Sequence, residues 1–104
     1  MDAIVVYITV PDENEAVTIS KILVDEKLAG CINIVKGIRS IYSWKGNIED
    51  EPEILLILKT RKALFKKLQS RVKEIHSYTV PEIIALPVID GSEDYLKWLE
   101  DVTL

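Results

Sequence analysis

The chain has 104 residues, 48% of them hydrophobic and 29% charged, with a net charge of −4. That length and balance describe one folded domain and exclude an intrinsically disordered chain. The acidic balance argues against a protein built to grip phosphate backbones, so nucleic acid is not an expected partner.

The first predicted element is a strand over Ala3 to Val10, rich in β-branched residues and stopped by Pro11. This apolar run is too short to span a bilayer and has neither a basic flank nor a small-residue cleavage pattern. It reads as a strand rather than a signal peptide, and no membrane partner is expected. Asp12 followed by Glu15 forms a capping-box pattern that opens a helix. The helix buries Ala16, Ile19, Ile22, Leu23 and Leu28 on one side, and Gly30 is expected to help end it.

Cys31 to Trp44 reads as an extended segment with a bulge or close approach at Gly37, and Lys45-Gly46-Asn47 supplies the turn of a hairpin. The returning strand runs from Ile48 to Lys59. Its first half is acidic, with Glu49, Asp50, Glu51 and Glu53. Its second half, Ile54 to Leu58, is continuously apolar and is expected to be buried on both faces. Pro52 places the acidic half at an edge, at a bulge or beyond the main sheet. As a group these acidic residues read best as a solubilising strip. Leu64, Phe65, Leu68, Val72 and Ile75 mark a second helix ending near His76, and its basic residues Arg61, Lys62, Lys66, Lys67, Arg71 and Lys73 read as a solvated face. A strand at Ile83 to Leu86 follows, and Ser92 caps a short third helix carrying Tyr95, Trp98, Leu99 and Val102.

The order β-α-β-β-α-β-α predicts an α+β, ferredoxin-like split β-α-β sandwich with both long helices on one sheet face. The other face is apolar, and the terminal helix is too short to cover it, so a homo-oligomer is expected. The hairpin gives a second reason. Cys31 to Trp44 at ~3.3 Å per residue reaches roughly 45 Å, beyond the ~35 Å diameter of a domain this size. Its tip, with Ile41, Tyr42, Trp44 and Ile48, is expected to dock on a neighbouring subunit.

Few residues can carry chemistry. His76 is the only histidine and Cys31 the only cysteine. A helix C-terminus favours an imidazolium, so His76 reads either as a cap on the last carbonyls or as a metal ligand. Cys31 excludes an intramolecular disulfide and suits a reducing, cytoplasmic compartment. There is no nucleophile elbow, glycine-rich phosphate loop or paired thiol motif, so no enzymatic activity and no obligatory cofactor are expected. Lys59 and Glu82 are candidates for an ion pair or an anion contact at strand ends.

Leu28-Ala29-Gly30-Cys31-Ile32-Asn33, Ser40-Ile41-Tyr42-Ser43-Trp44-Lys45-Gly46, Leu58-Lys59-Thr60-Arg61, His76-Ser77-Tyr78-Thr79-Val80-Pro81-Glu82-Ile83 and Tyr95-Leu96-Lys97-Trp98-Leu99, with their spacing, resemble the CutA family of divalent-cation tolerance proteins. The resemblance implies a ferredoxin-like homotrimer with long hairpins packed on adjacent subunits. It also implies a role in tolerance of copper and other divalent cations, with weak metal binding for which His76 is the candidate ligand. Where the family segment usually reads His-Pro-Tyr-Glu-Val-Pro, this chain has Ser77 and Thr79, which removes the carboxylate. Ile8 and Ile75 also stand where some members carry a cysteine or a second histidine. A second reading follows from the trimeric plan shared with the PII regulators. In it Tyr42, Trp44, Lys59, His76, Tyr78 and Glu82 line an intersubunit pocket for a small anionic or polar ligand.

Overall fold

A computed structural model describes all residues from 1 to 104. The elements are β1 (Ala3–Val10), α1 (Glu13–Asp25), β2 (Cys31–Trp44), β3 (Asn47–Arg61), α2 (Phe65–Ile75, entered through a 3-10 turn at Lys62–Leu64), β4 (Ile83–Pro87) and α3 (Glu93–Asp101). The sheet order is β2-β3-β1-β4 with every neighbouring pair antiparallel, the arrangement expected of a split β-α-β sandwich. No helix is long and apolar enough to cross a membrane.

One sheet face packs on α1 and α2. Ile4, Val6, Ile8 and Val10 of β1 and Ile54, Leu56 and Leu58 of β3 join Ala16, Ile19, Leu23, Leu68 and Val72 in a single buried core. Thr60 extends this row, and its buried hydroxyl donates to the Leu28 carbonyl at 2.7 Å. Thr60→Val keeps the shape but orphans that carbonyl, so a loss of about 1–3 kcal/mol in denaturant unfolding is expected.

The opposite face carries Val5, Tyr7, Leu55, Ile57, Val35, Ile84 and Leu86, all half-buried or exposed in the single chain. Leu55 and Ile57 are therefore not enclosed on both faces by the chain itself, as the apolar run had suggested. The terminal helix α3 covers only one corner. Leu99 and Val102 approach so closely at Gly30 that a β-carbon there would lie 2.6 Å from Leu99 Cδ1. Tyr95 lies beside the Cys31 side chain, and burial, followed by that thiol, raises its hydroxyl above the ordinary value.

Gly30 thus admits α3 and does not end α1. The helix closes at Asp25, and Lys27 takes the left-handed conformation (φ 59°), with the Leu28 amide returning to the Leu23 carbonyl at 2.9 Å. The capping box is also only half formed. Asp12 accepts from the Glu15 amide at 2.8 Å, but the Glu15 carboxylate accepts from the Ser77 amide instead of reaching back.

The hairpin overhangs as its length requires, and the molecule measures 44 × 25 × 23 Å. Lys45 and Gly46 both have positive φ (49° and 80°), which makes a two-residue type I′ turn whose twist suits the flanking strands. Pro52 lies in the two-stranded part, where β3 has β2 on one side and a free edge on the other. At Gly37 (φ 81°) β2 bulges, so that the two residues between Val35 and Ile38 oppose one residue of β3. The extra residue reverses the alternation. Ile32 and Ile34 pair with Leu58 and Leu56 on the helix face, but Ile38, Ser40, Tyr42 and Trp44 pair with Glu53, Glu51, Glu49 and Asn47 on the open-face side.

Candidate functional site

The residues expected at the site divide into separate groups. The bulge sends Tyr42 and Trp44 one way and leaves Ile41 and Ile48 on the other side of the hairpin. Ile41 and Ile48 are 65% and 83% exposed and form an apolar edge with nothing packed on it. Tyr42 and Trp44 instead lean over the chain's own segment between α2 and β4. With Ser77, Tyr78, Thr79 and Val80 they line a cleft of 320 Å³. A larger but shallower groove of 670 Å³ runs along α1, lined by residues such as Lys21, Val24 and Ile32, and takes in none of the candidate site residues.

His76 lies behind this cleft, not in it. Its ring is fully buried and stacks at a tilt on Tyr78, with centroids 4.8 Å apart. The Tyr78 amide donates to Nδ1 at 3.0 Å, which assigns the ring proton to Nε2 and makes Nε2 the donor to the Thr9 carbonyl at 2.8 Å. The Glu15 carboxylate lies 3.4 Å from Nδ1 and accepts from the Ser77 amide at 3.0 Å. His76 therefore pins the 77–80 segment to the end of β1, instead of capping the carbonyls of α2. As a metal ligand it would have to surrender one of these two bonds.

Lys59 is not part of the group. It sits opposite Val5 and Cys31 on the open face and donates to the Asn33 side-chain oxygen. Glu82 precedes Ile83, which pairs with Ile8 at the other end of β1, so the expected Lys59–Glu82 pair is not formed. What joins Glu82 is a carboxylate that sequence reading had assigned to a solubilising strip. Glu53 is buried and accepts from the Tyr78 hydroxyl at 2.6 Å. Burial, followed by the hydrogen bond and charge of Glu53, raises the Tyr78 hydroxyl above its ordinary value. Partial burial, followed by Glu51, Glu53 and Glu49, raises Tyr42.

Burial first and Glu53 second also raise the Glu82 carboxyl, so its charged form is disfavoured in the folded state. Folding is penalised above the raised folded value, and the penalty disappears as pH falls through that value toward the ordinary one. Glu82→Gln is accordingly expected to raise the melting temperature at pH 7 and to make no difference at a pH where both states are protonated. Equal gains at both pH values would dismiss the charge as the cause.

No group of three or more His, Cys, Asp or Glu side chains is placed to hold a metal ion. With both His76 nitrogens engaged, the donors of one chain do not form a closed site.

The sheet, the overhanging hairpin and this loop can be set beside known proteins. The family model described as CutA1 divalent ion tolerance protein matches residues 4–102. The chain belongs to the CutA1 family. The divalent-cation tolerance protein CutA of Thermus thermophilus is 54% identical over 99 residues, covering 95% of this chain and 96% of that protein. The solved Thermus structure superposes with a TM-score of 0.95 at 52% identity, over 97% of this chain and 98% of that one. The CutA1 structure from Oryza sativa gives 0.97 at 45% identity, over 100% and 95%. The chloroplastic CutA of Arabidopsis thaliana is 48% identical over 101 residues, but those cover 97% of this chain and only 56% of the plant protein. The family takes its name from ion tolerance, not from a catalysed reaction.

Proposed function

We propose that this chain acts in divalent-cation tolerance, copper included, as a cytoplasmic homotrimer that binds the ion weakly between subunits. The family match over residues 4–102 carries the reading. The need for a partner is supported by Ile84 and Leu86 on the open face, 51% and 41% exposed, and by the bare Ile41–Ile48 edge. The number three rests on the family resemblance, and the compartment on the free thiol of Cys31. Because one chain supplies no three-donor cluster, a metal site needs donors from more than one copy.

Sedimentation should give a particle of three times 11.8 kDa, and Ile84→Asp, which puts a charge on the open apolar face that the neighbouring subunits would cover, should dissociate it. Titration with Cu(II) and Zn(II) should show binding to the assembled protein and none to the dissociated variant. Equal binding by a folded monomer would refute the intersubunit site.

A further inference from the structure

The aromatic cleft has an electrostatic character that the anion-binding expectation did not anticipate. On one side of the hairpin, β3 presents Glu49 opposite Tyr42, Glu51 opposite Ser40 and Glu53 opposite Ile38. Strand alternation puts all three carboxylates on the side of Tyr42 and Trp44, whereas Asp50 lies on the other side and is held by a two-pronged bond from Arg39. None of Glu49, Glu51, Glu53 or Glu82 is paired with a basic side chain. Lys59, the cation once expected here, faces Asn33 instead. The cleft therefore has aromatic walls and, beside Tyr42, carboxylates that no basic side chain pairs.

We propose that the cleft bounded by Tyr42, Trp44, Tyr78 and Val80 binds a small organic ammonium ion, with its hydrocarbon part on the rings and its charge toward Glu49 and Glu51. At 320 Å³ the cleft is at the small end of ligand sites, which suits a few-carbon amine. Aromatic faces attract cations of low charge density, and Trp is the strongest such ring. The Trp44 ring already accepts one, since the Lys45 ammonium stands 5.7 Å from its centroid. The hydroxyls of Ser77 and Thr79 on the opposite wall can accept from an N–H donor. A bare metal ion fits less well, because it needs several converging oxygen or nitrogen donors and no three-donor group exists. The site goes beyond the metal role and does not depend on it.

The test uses three molecules with one carbon skeleton, isopentylammonium, isopentyl alcohol and isovalerate, at pH 7 and constant ionic strength. The assembled protein carries Trp98→Phe, which leaves Trp44 as the only tryptophan and so the reporter. A saturable change in Trp44 emission is expected with the ammonium ion, at least about fivefold tighter than with the alcohol, and none with isovalerate. Tyr42→Phe should retain binding, while Tyr42→Leu, which keeps apolar bulk but removes the π face, should weaken it about tenfold. Glu51→Gln should weaken it as well, by a factor that shrinks with added salt. The proposal is overturned if the ammonium ion does not saturate, if the alcohol or isovalerate binds as tightly, or if Tyr42→Leu binds like Tyr42→Phe. The ligand comparison needs no cleft variant, so it decides the matter even if the Tyr42 replacements fold poorly.

Discussion

Leu58→Ala is expected to destabilise the protein by about 2–5 kcal/mol, read from urea midpoints at fixed protein concentration. Leu58 is completely buried, lies between Val6 of β1 and Ile32 of β2 in the same cross-strand row, and belongs to the core under α1 and α2. Truncation removes the transfer free energy of its side chain. It also leaves a void that the stiff β-branched neighbours Val6 and Ile32 cannot readily fill. A loss below about 1 kcal/mol would mean that the core collapses around the gap and is less rigid than its packing indicates.

His76→Ala is expected to have a comparable effect, about 2–5 kcal/mol, for a different reason. It strips the Thr9 carbonyl and the Tyr78 amide of their partners, each worth about 1–3 kcal/mol when buried and unpaired, and removes the ring against which Tyr78 stacks. Amide exchange should accelerate through Ser77 to Val80, the segment that the ring pins. Copper and zinc stoichiometry should be unchanged at temperatures where the variant is folded. A variant that loses metal but melts like the parent would make His76 a ligand after all.

The regular elements were largely legible in the sequence. Asp12 and Ser92 cap α1 and α3 because their short side chains reach the amide three residues on. Gly37 marks the bulge because a left-handed residue inside a strand needs a missing β-carbon. Other features depended on geometry that one-dimensional spacing does not carry. Lys27, not Gly30, takes the left-handed turn after α1, because Leu28 must swing back into the core immediately afterwards. Gly30 is small because α3, some seventy residues on, lands on it. Lys59 and Glu82 both lie at strand ends, yet β1 separates the levels at which they attach.

The contribution of Glu53 was missed, although the signal was present. Glu49, Glu51 and Glu53 recur with the period of a strand, and the bulge at Gly37 fixes which side of the hairpin they share with Tyr42. The roles of Ser77, Thr79 and Val80 in the cleft could not be found that way, since only the bonds of His76 and Glu15 place that segment beneath the hairpin.

The position of β1 at the centre of the sheet also bears on how the molecule is made. Its partners are the last residues of β3, where Ala3 meets Arg61, and β4, where Ile4 meets Pro87. This strand therefore has no partner until β3 and β4, both later in the chain, have followed it. Non-local pairings of this kind slow folding and leave apolar strands exposed while they wait. The β2–β3 hairpin, whose pairing is local, can form first and serve as the template onto which Ala3 to Val10 docks. Substitutions in β1 should then act mainly on the unfolding rate, and those at the Lys45-Gly46 turn on the folding rate.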